Sequence, residues 1–355
     1  DLTHPMYFIL IQHLQNVSIH KITILKGDIV VKKLHFVAVC AATLVLGSAL
    51  HAFEPNKPLC LAPAKPGGGF DLTCRLISNA IEATKLLDKP MIVNFMPGGV
   101  GAVAYNHIIG QKPDDGNMII AASTGSALNI AQGKFGAKNT IDSVRWLAAL
   151  GADYGAVIVR SDSKWNTLNE MVDDLKANPS GFVLGSGGSI GSQDWFKAAI
   201  IAKLAGINPK NMRYVAFEGG GEALTALSGN HIQIYPGDIA EFSGHMSSGK
   251  YKVLAIMADE RLPGDMGTIP TAKEQGFDAV WTIWRGFYLG PKVSDEAYDF
   301  WVEKIKTLVE TPEFKEERTA RGLYPFTLIG KEYQEFMKKE EQRFSELAKE
   351  AGLIK

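Results

Sequence analysis

Cysteine is scarce in this chain, charge is balanced, and the apolar runs are short. There are three cysteines in 355 residues. The 37 lysines and arginines stand against 38 acids, for a formal net charge of -1. No basic stripe with interleaved aromatics is present, which argues against nucleic acid as a partner. No low-complexity tract or short-period repeat is visible, so a solenoid or a fibrous array is excluded. His107, His231 and His245 lie far apart, without the His/Cys spacing of a metal site. A Gly-Lys-Ser/Thr phosphate loop and a Gly-x-Gly-x-x-Gly fingerprint at the first glycine loop are both missing, so no nucleotide cofactor is expected. No nucleophile has a legible base beside it, and the chain is expected not to be an enzyme.

The first fifty residues differ from the rest. Lys32-Lys33 precede an apolar run over residues 34–46, then Gly47-Ser48-Ala49-Leu50-His51-Ala52. The run is about 13 residues, short of the ~20 a spanning helix needs. Charged start, short apolar centre and small-residue end together read as a secretory signal over residues 31–52, cleaved after Ala49 or Ala52. Residues 1–30 lie upstream of a complete signal. Lys26-Gly27-Asp28 is what a ribosome-binding sequence gives when translated, so residues 1–30 are read as a non-native upstream extension. Export places the remainder in an oxidising compartment. Cys60 and Cys74 are then an even pair, expected as a disulfide; the alternative is two buried thiols.

What the chain has in quantity is glycine, 36 residues, and it is placed in a repeated grammar. A short apolar run (Leu59-Cys60-Leu61-Ala62-Pro63), read as a strand, leads into Pro66-Gly67-Gly68-Gly69-Phe70-Asp71, and a helical pattern follows through Leu72, Leu76, Ile77, Ala80 and Ile81, with Leu86 and Leu87 near its end. Glycines let a ligand approach the backbone. A helix start supplies free N–H donors and the positive end of a dipole. Such a turn suits a carboxylate or phosphate. The device returns at Pro97-Gly98-Gly99-Val100-Gly101, at Gly185-Ser186-Gly187-Gly188-Ser189-Ile190-Gly191-Ser192, and at Glu218-Gly219-Gly220-Gly221. Strands are read at residues 91–94, 118–122, 146–150, 155–159, 182–184, 214–217, 231–235 and 253–257. Helices are read between them, and at 294–309 and 331–351. Alternation of strand and helix predicts a parallel α/β sheet. In open α/β sheets ligands sit at the carboxyl ends of strands, so these loops are expected to share one cleft.

The ordered set of motifs resembles the tripartite tricarboxylate transporter receptors, the TctC or Bug type of periplasmic solute-binding protein. It comprises Pro66 to Asp71, Asn94 with Pro97-Gly98-Gly99, Pro113-Asp114-Asp115-Gly116, Gly187-Gly188-Ser189 with Gly191-Ser192, Gly219-Gly220-Gly221-Glu222, Gly237-Asp238, and Ile269-Pro270-Thr271 with Glu274-Gln275-Gly276. The resemblance spans residues 57–350. It implies a type II periplasmic-binding-protein fold, two α/β lobes around a ligand cleft joined by crossing strands. Lobe 1 would be residues 53–154 plus 273–355, and lobe 2 residues 155–272. It implies a monomeric receptor in the periplasm that captures a small di- or tricarboxylate for membrane permease subunits. The rival readings are a secreted α/β enzyme using the same cleft, or a sensor-coupled binding protein for an aromatic or amino-acid carboxylate.

The residues expected at the ligand are Gly67, Gly68, Gly69, Phe70 and Asp71 of the first loop, Ser123 and Thr124 after the third strand, and Tyr154 at the crossing. From the second lobe come Ser186, Gly188, Ser189, Gly191, Ser192 and Asp238. Trp284 and Arg285 belong to the return crossing. Asp71 in a first helical turn also stabilises the dipole, and the serines also serve as N-caps. Asp238 either ties a loop or meets a ligand donor. Arg285 offers planar, bidentate donors to a carboxylate; its alternative is an internal ion pair.

Overall fold

The computed structural model describes residues 53–355; the expected signal over residues 31–52 and the expected upstream extension over residues 1–30 fall outside the described residues. Among the described residues no helix is long and apolar enough to cross a membrane.

Three parallel strands begin the first lobe: β1 (Leu59–Ala62) lies between β2 (Ile92–Phe95) and β3 (Met118–Ser123). The helices α1 (Gly69–Thr84), α2 (Ala102–Gln111) and α3 (Thr124–Ala131) connect or follow them. Every residue of β3 is buried, as expected of a strand covered on both faces. Cys60 on β1 and Cys74 on α1 are joined as a disulfide, with Cα atoms 5.6 Å apart.

A single strand, β4 (Arg145–Arg160), then leaves this lobe. The sequence suggests two strands here because Gly151 and Gly155 interrupt the apolar pattern. The backbone absorbs the interruption as register shifts near Ala149/Gly151 and Val157/Ile158. The half of β4 up to Tyr154 pairs antiparallel with β9 (Thr282–Leu289), which pairs with β3. The half from Gly155 pairs with β7 (Tyr235–Asp238) and β8 (Tyr251–Met257) in the second lobe. That lobe also holds the parallel pair β5 (Val183–Gly187) and β6 (Arg213–Phe217), with the helices α4 (Leu168–Ala177), α5 (Gln193–Leu204), α6 (Gly220–Ser228) and α7 (Ile239–Ser243). The strand expected at residues 231–235 falls instead on Tyr235–Asp238, with Ile234 bridging to Leu184.

The chain returns later than the 272/273 boundary read from the sequence. Ala272 N–H donates to Ile256, Leu168 N–H to Gln275, and Trp281 N–H to Met257, so residues 273–281 pack on the second lobe. Only at Thr282 does β9 join Tyr154. The helices α8 (Asp295–Glu310), α9 (Pro312–Ala320) and α10 (Lys331–Glu350) then rejoin the first lobe, with the two-residue β10 (Leu328–Ile329) on the edge of β4. Trp146, Trp284, Tyr288 and Tyr333 meet edge to face behind the crossing strands, with centroids 5.4–6.2 Å apart. This packing fixes the back of the crossing and leaves the loops at the strand ends to form the front.

Candidate functional site

Two helices begin at the front of the lobes without a side-chain cap. The N-cap of α1 is Gly68 and that of α6 is Gly219, and neither helix start receives a side-chain acceptor from its own cap. Their first N–H groups therefore need partners from elsewhere. The two starts approach so closely that a Cβ on Gly68 would lie 3.1 Å from Gly220 N. A cavity of about 40 Å³ lies here, lined from the first lobe by Gly68, Gly69, Phe70, Ser123, Asn129 and Arg285. The second lobe contributes Gly187, Ser192, Gln193, Asp194, Asp238 and Glu241.

Behind the cavity runs a chain of buried charges. Arg285 Nη2 donates to Asp153 at 2.5 Å and to Asp238 at 2.6 Å. Asp238 also accepts from Lys197 at 2.5 Å, and Lys197 pairs with Asp194 at 2.8 Å. All five are nearly inaccessible, from 0% to 4%. Burial pushes the carboxyls of Asp153 and Asp194 up, Asp194 to about 6. Asp238 ends lower than usual, because Lys197 and Arg285 outweigh its burial. Burial opposes both cations, yet the surrounding carboxylates hold Lys197 and Arg285 above their ordinary values. Arg285 makes both bonds through one nitrogen; its buried Nε has no partner.

Glu241 stands apart from this chain. One oxygen accepts the Gly69 N–H at 2.8 Å, at the start of α1, and the other accepts the Tyr235 hydroxyl. It has no cationic partner among the described residues, and burial pushes its carboxyl up to about 8. Asp194 likewise accepts the Gly187 N–H at 2.8 Å. The protein thus turns its own carboxylates toward two of its glycine-loop amides.

Of the residues expected at the ligand, Gly68, Gly69, Phe70, Ser123, Ser192, Asp238 and Arg285 line the cavity. Gly67 and Asp71 sit just outside it. Asp71 accepts the Gly67 N–H at 2.9 Å and pairs with Arg75 at 2.7 Å, which ties the first loop. Thr124 accepts the Trp284 N–H at 3.0 Å and faces the sheet. Tyr154 packs on Tyr324, 5.6 Å between centroids. Ser186 bonds Tyr214, and Tyr214 bonds the Gly188 carbonyl, which fastens the serine–glycine loop from behind. The Gly191 carbonyl takes a bond from Gln132 of the first lobe at 2.7 Å. Trp284 points away from the cavity, with its indole N–H on Glu340 at 3.0 Å. Residues 187–191 do carry the Gly-x-Ser-x-Gly spacing of a nucleophile elbow. Ser189 is exposed, however, and among the described residues no basic side chain hydrogen-bonds its hydroxyl.

Sequence reasoning missed Asp153, Asp194, Lys197, Gln193 and Glu241. A signal was available for three of them. Asp194 and Lys197 interrupt an otherwise apolar helix face beside Trp195, Phe196 and Ala198, and Asp153 interrupts an apolar strand. Charges placed so are almost never buried unless paired.

The family described as tripartite tricarboxylate transporter family receptor (TctC) matches residues 75–353. A UPF0065 protein of Bordetella pertussis is 23% identical over 317 residues, which covers 88% of this chain and 95% of that one. Among solved structures, the periplasmic binding protein BugD superposes with a TM-score of 0.76 at 21% identity, covering 84% of this chain and 99% of its own. MatC of Rhodopseudomonas palustris with bound malate gives 0.70 at 20% identity, over 82% and 98%. The two-lobed α/β architecture is that of the periplasmic solute-binding proteins, and the chain belongs to the tripartite tricarboxylate transporter receptor family.

Proposed function

We propose that this chain is an extracytoplasmic receptor that closes its two lobes on a small di- or tricarboxylate and delivers it to the permease subunits of a tripartite tricarboxylate-type transporter. The supporting observation is the meeting of two helix starts, one from each lobe and neither capped by its own N-cap residue, though Glu241 takes up the Gly69 N–H, on a cavity that Arg285 also borders. Helix N-termini favour anions through free N–H donors and the dipole. The similar MatC structure holds malate, an anion of this class. A cavity of about 40 Å³ is too small for such a ligand, so entry requires the lobes to part about the crossings at Tyr154/Gly155 and Trp281/Thr282. The chain performs no chemistry in this reading, and it acts in the periplasm as a monomer.

The test is a thermal-shift screen of small carboxylates on the mature protein, followed by titration calorimetry of any that raise the melting temperature. A ligand that binds only the folded state stabilises it by mass action. One or more carboxylates binding at micromolar level supports the reading. A panel of mono-, di- and tricarboxylates that leaves the melting temperature unmoved at millimolar concentration refutes it.

A further inference from the structure

We infer that Val100 is a specificity-determining residue of this cleft, its isopropyl group filling space beside the cavity that a longer ligand would otherwise use. The inference rests on the carboxylate reading above and adds a size limit to it. Val100 borders the cavity from the first lobe, in the loop between β2 and α2. The residue is half-buried. Its backbone has φ 46° and ψ 54°, in the left-handed region. Among the described residues, only Lys85 and Asn230 share a positive φ without being glycine. Lys85 is the C-cap of α1, an ordinary place for a left-handed residue. Asparagine tolerates that region through its short polar side chain. For a β-branched side chain it is an outlier, and the surrounding structure must hold it there.

The loop shows how it is held. Gly98, Gly99 and Gly101 also take positive φ, at 137°, 59° and 111°, so Val100 sits in a run of four such residues. Glycine does this without a side-chain cost. At Gly101 a Cβ would lie 2.9 Å from Phe135 Cζ, so the end of the loop is seated on that ring. The backbone alone would be better served by a fourth glycine. What valine adds is a side chain, and that side chain meets the second lobe.

A Cβ on Gly188 would lie 3.4 Å from Val100 Cγ2. The loop that carries Gly188 is fastened from both lobes. Tyr214 donates to the Gly188 carbonyl at 2.8 Å. From the first lobe, Lys134 donates to the Ile190 carbonyl and Gln132 to the Gly191 carbonyl, both at 2.7 Å. Val100 itself is stiff at χ1, as β-branched residues are. Its isopropyl group is therefore a fixed wall between two pinned loops. Trimming it should enlarge the cavity, because neither loop is free to collapse into the space.

Titration calorimetry on the mature protein with the C4 to C8 unbranched dicarboxylates tests this. Val100→Gly should favour a longer diacid, raising the affinity of the next homologue at least about tenfold relative to the one the wild type prefers. Val100→Ala should shift the series the same way by less. Val100→Thr keeps the branch at Cβ and should leave the order of the series unchanged. Relative affinities in Val100→Gly within about threefold of wild type overturn the inference, as does an equal shift in Val100→Thr. Val100→Gly should also melt no lower than the wild type without ligand, because relief of the strained backbone offsets the lost packing. A fall of several degrees overturns the strained wall. Should no diacid bind wild type or variant, the size limit falls with it, and the wider carboxylate screen above judges the parent reading separately.

Discussion

Replacing Arg285 with methionine keeps most of the side-chain volume and removes the charge. The loss falls on Asp153 and Asp238, whose oxygens lie 2.5 and 2.6 Å from Arg285 Nη2. Asp238 retains Lys197 at 2.5 Å. Asp153 retains only the backbone N–H groups of Tyr154 and Ala240, at 2.8 and 3.0 Å. Breaking a buried pair by removing one partner costs about 3–5 kcal/mol, because the other charge stays buried. For a domain of this size that is roughly a 5–12 °C fall in melting temperature. Asp153→Asn on the Arg285→Met background removes the stranded charge and should return at least half of the loss. The sign with pH follows from burial: with Arg285 gone, Asp153 has a still higher folded pKa. A carboxyl raised on folding is stabilising below its unfolded value and loses that contribution as pH rises through the folded value. The deficit of Arg285→Met should therefore be larger at pH 8 than at pH 5. Urea unfolding of the four proteins at both pH values measures all of this. Arg285→Met within about 1 kcal/mol of wild type at pH 8, or no recovery by Asp153→Asn, would refute the claim that this cluster is held by a desolvated ion pair.

Three further outcomes are expected. Wild-type stability should decline as pH rises from the ordinary Glu241 value of 4.5 toward about 8, and Glu241→Gln should flatten that slope in a thermal-shift series. Mass spectrometry of the non-reduced protein should find Cys60 linked to Cys74; replacing both with serine should cost about 3 kcal/mol for a separation of 14 residues, read by urea unfolding. Gly69→Ala would place a methyl 2.6 Å from the Arg285 Cζ, so it should weaken ligand binding in calorimetry by more than about tenfold while Gly110→Ala, on the exposed face of α2 with open space, leaves binding unchanged.

The lobes were legible because the local rules agree with the global ones. Short apolar strands, glycine turns and amphipathic helices recur in order, and each helix after a serine or threonine begins where its cap stands. Ser123 and Thr167 both form capping boxes, and Ser294 caps α8. What the pattern hid was continuity. Glycine reads as a strand breaker, yet Gly151 and Gly155 lie inside β4, where adding a Cβ would press on Leu323 at 3.2 Å and on Lys197 at 2.7 Å. They are there because other side chains cross the strand at those points, a long-range demand that no window of sequence carries. The late return at Trp281 has the same origin, since residues 273–281 are held by partners near 168 and 257.

The site was legible in its backbone and hidden in its side chains. Glycine loops announce themselves, because the absence of a Cβ at Gly68 and Gly69 is a local fact with a local cause. Charged residues announce nothing, since most of them are solvated. Asp194, Lys197 and Glu241 acquire meaning only when β4 and β9 bring Asp153 and Arg285 within 2.5–2.6 Å of their neighbours. The same contacts explain why the expectations for Trp284 and Arg285 separate. Adjacent residues on a strand point to opposite faces. With Arg285 committed to the cleft by Asp153 and Asp238, Trp284 must face the rear, where Trp146 and Tyr333 receive it. One assignment on the strand therefore forces the other.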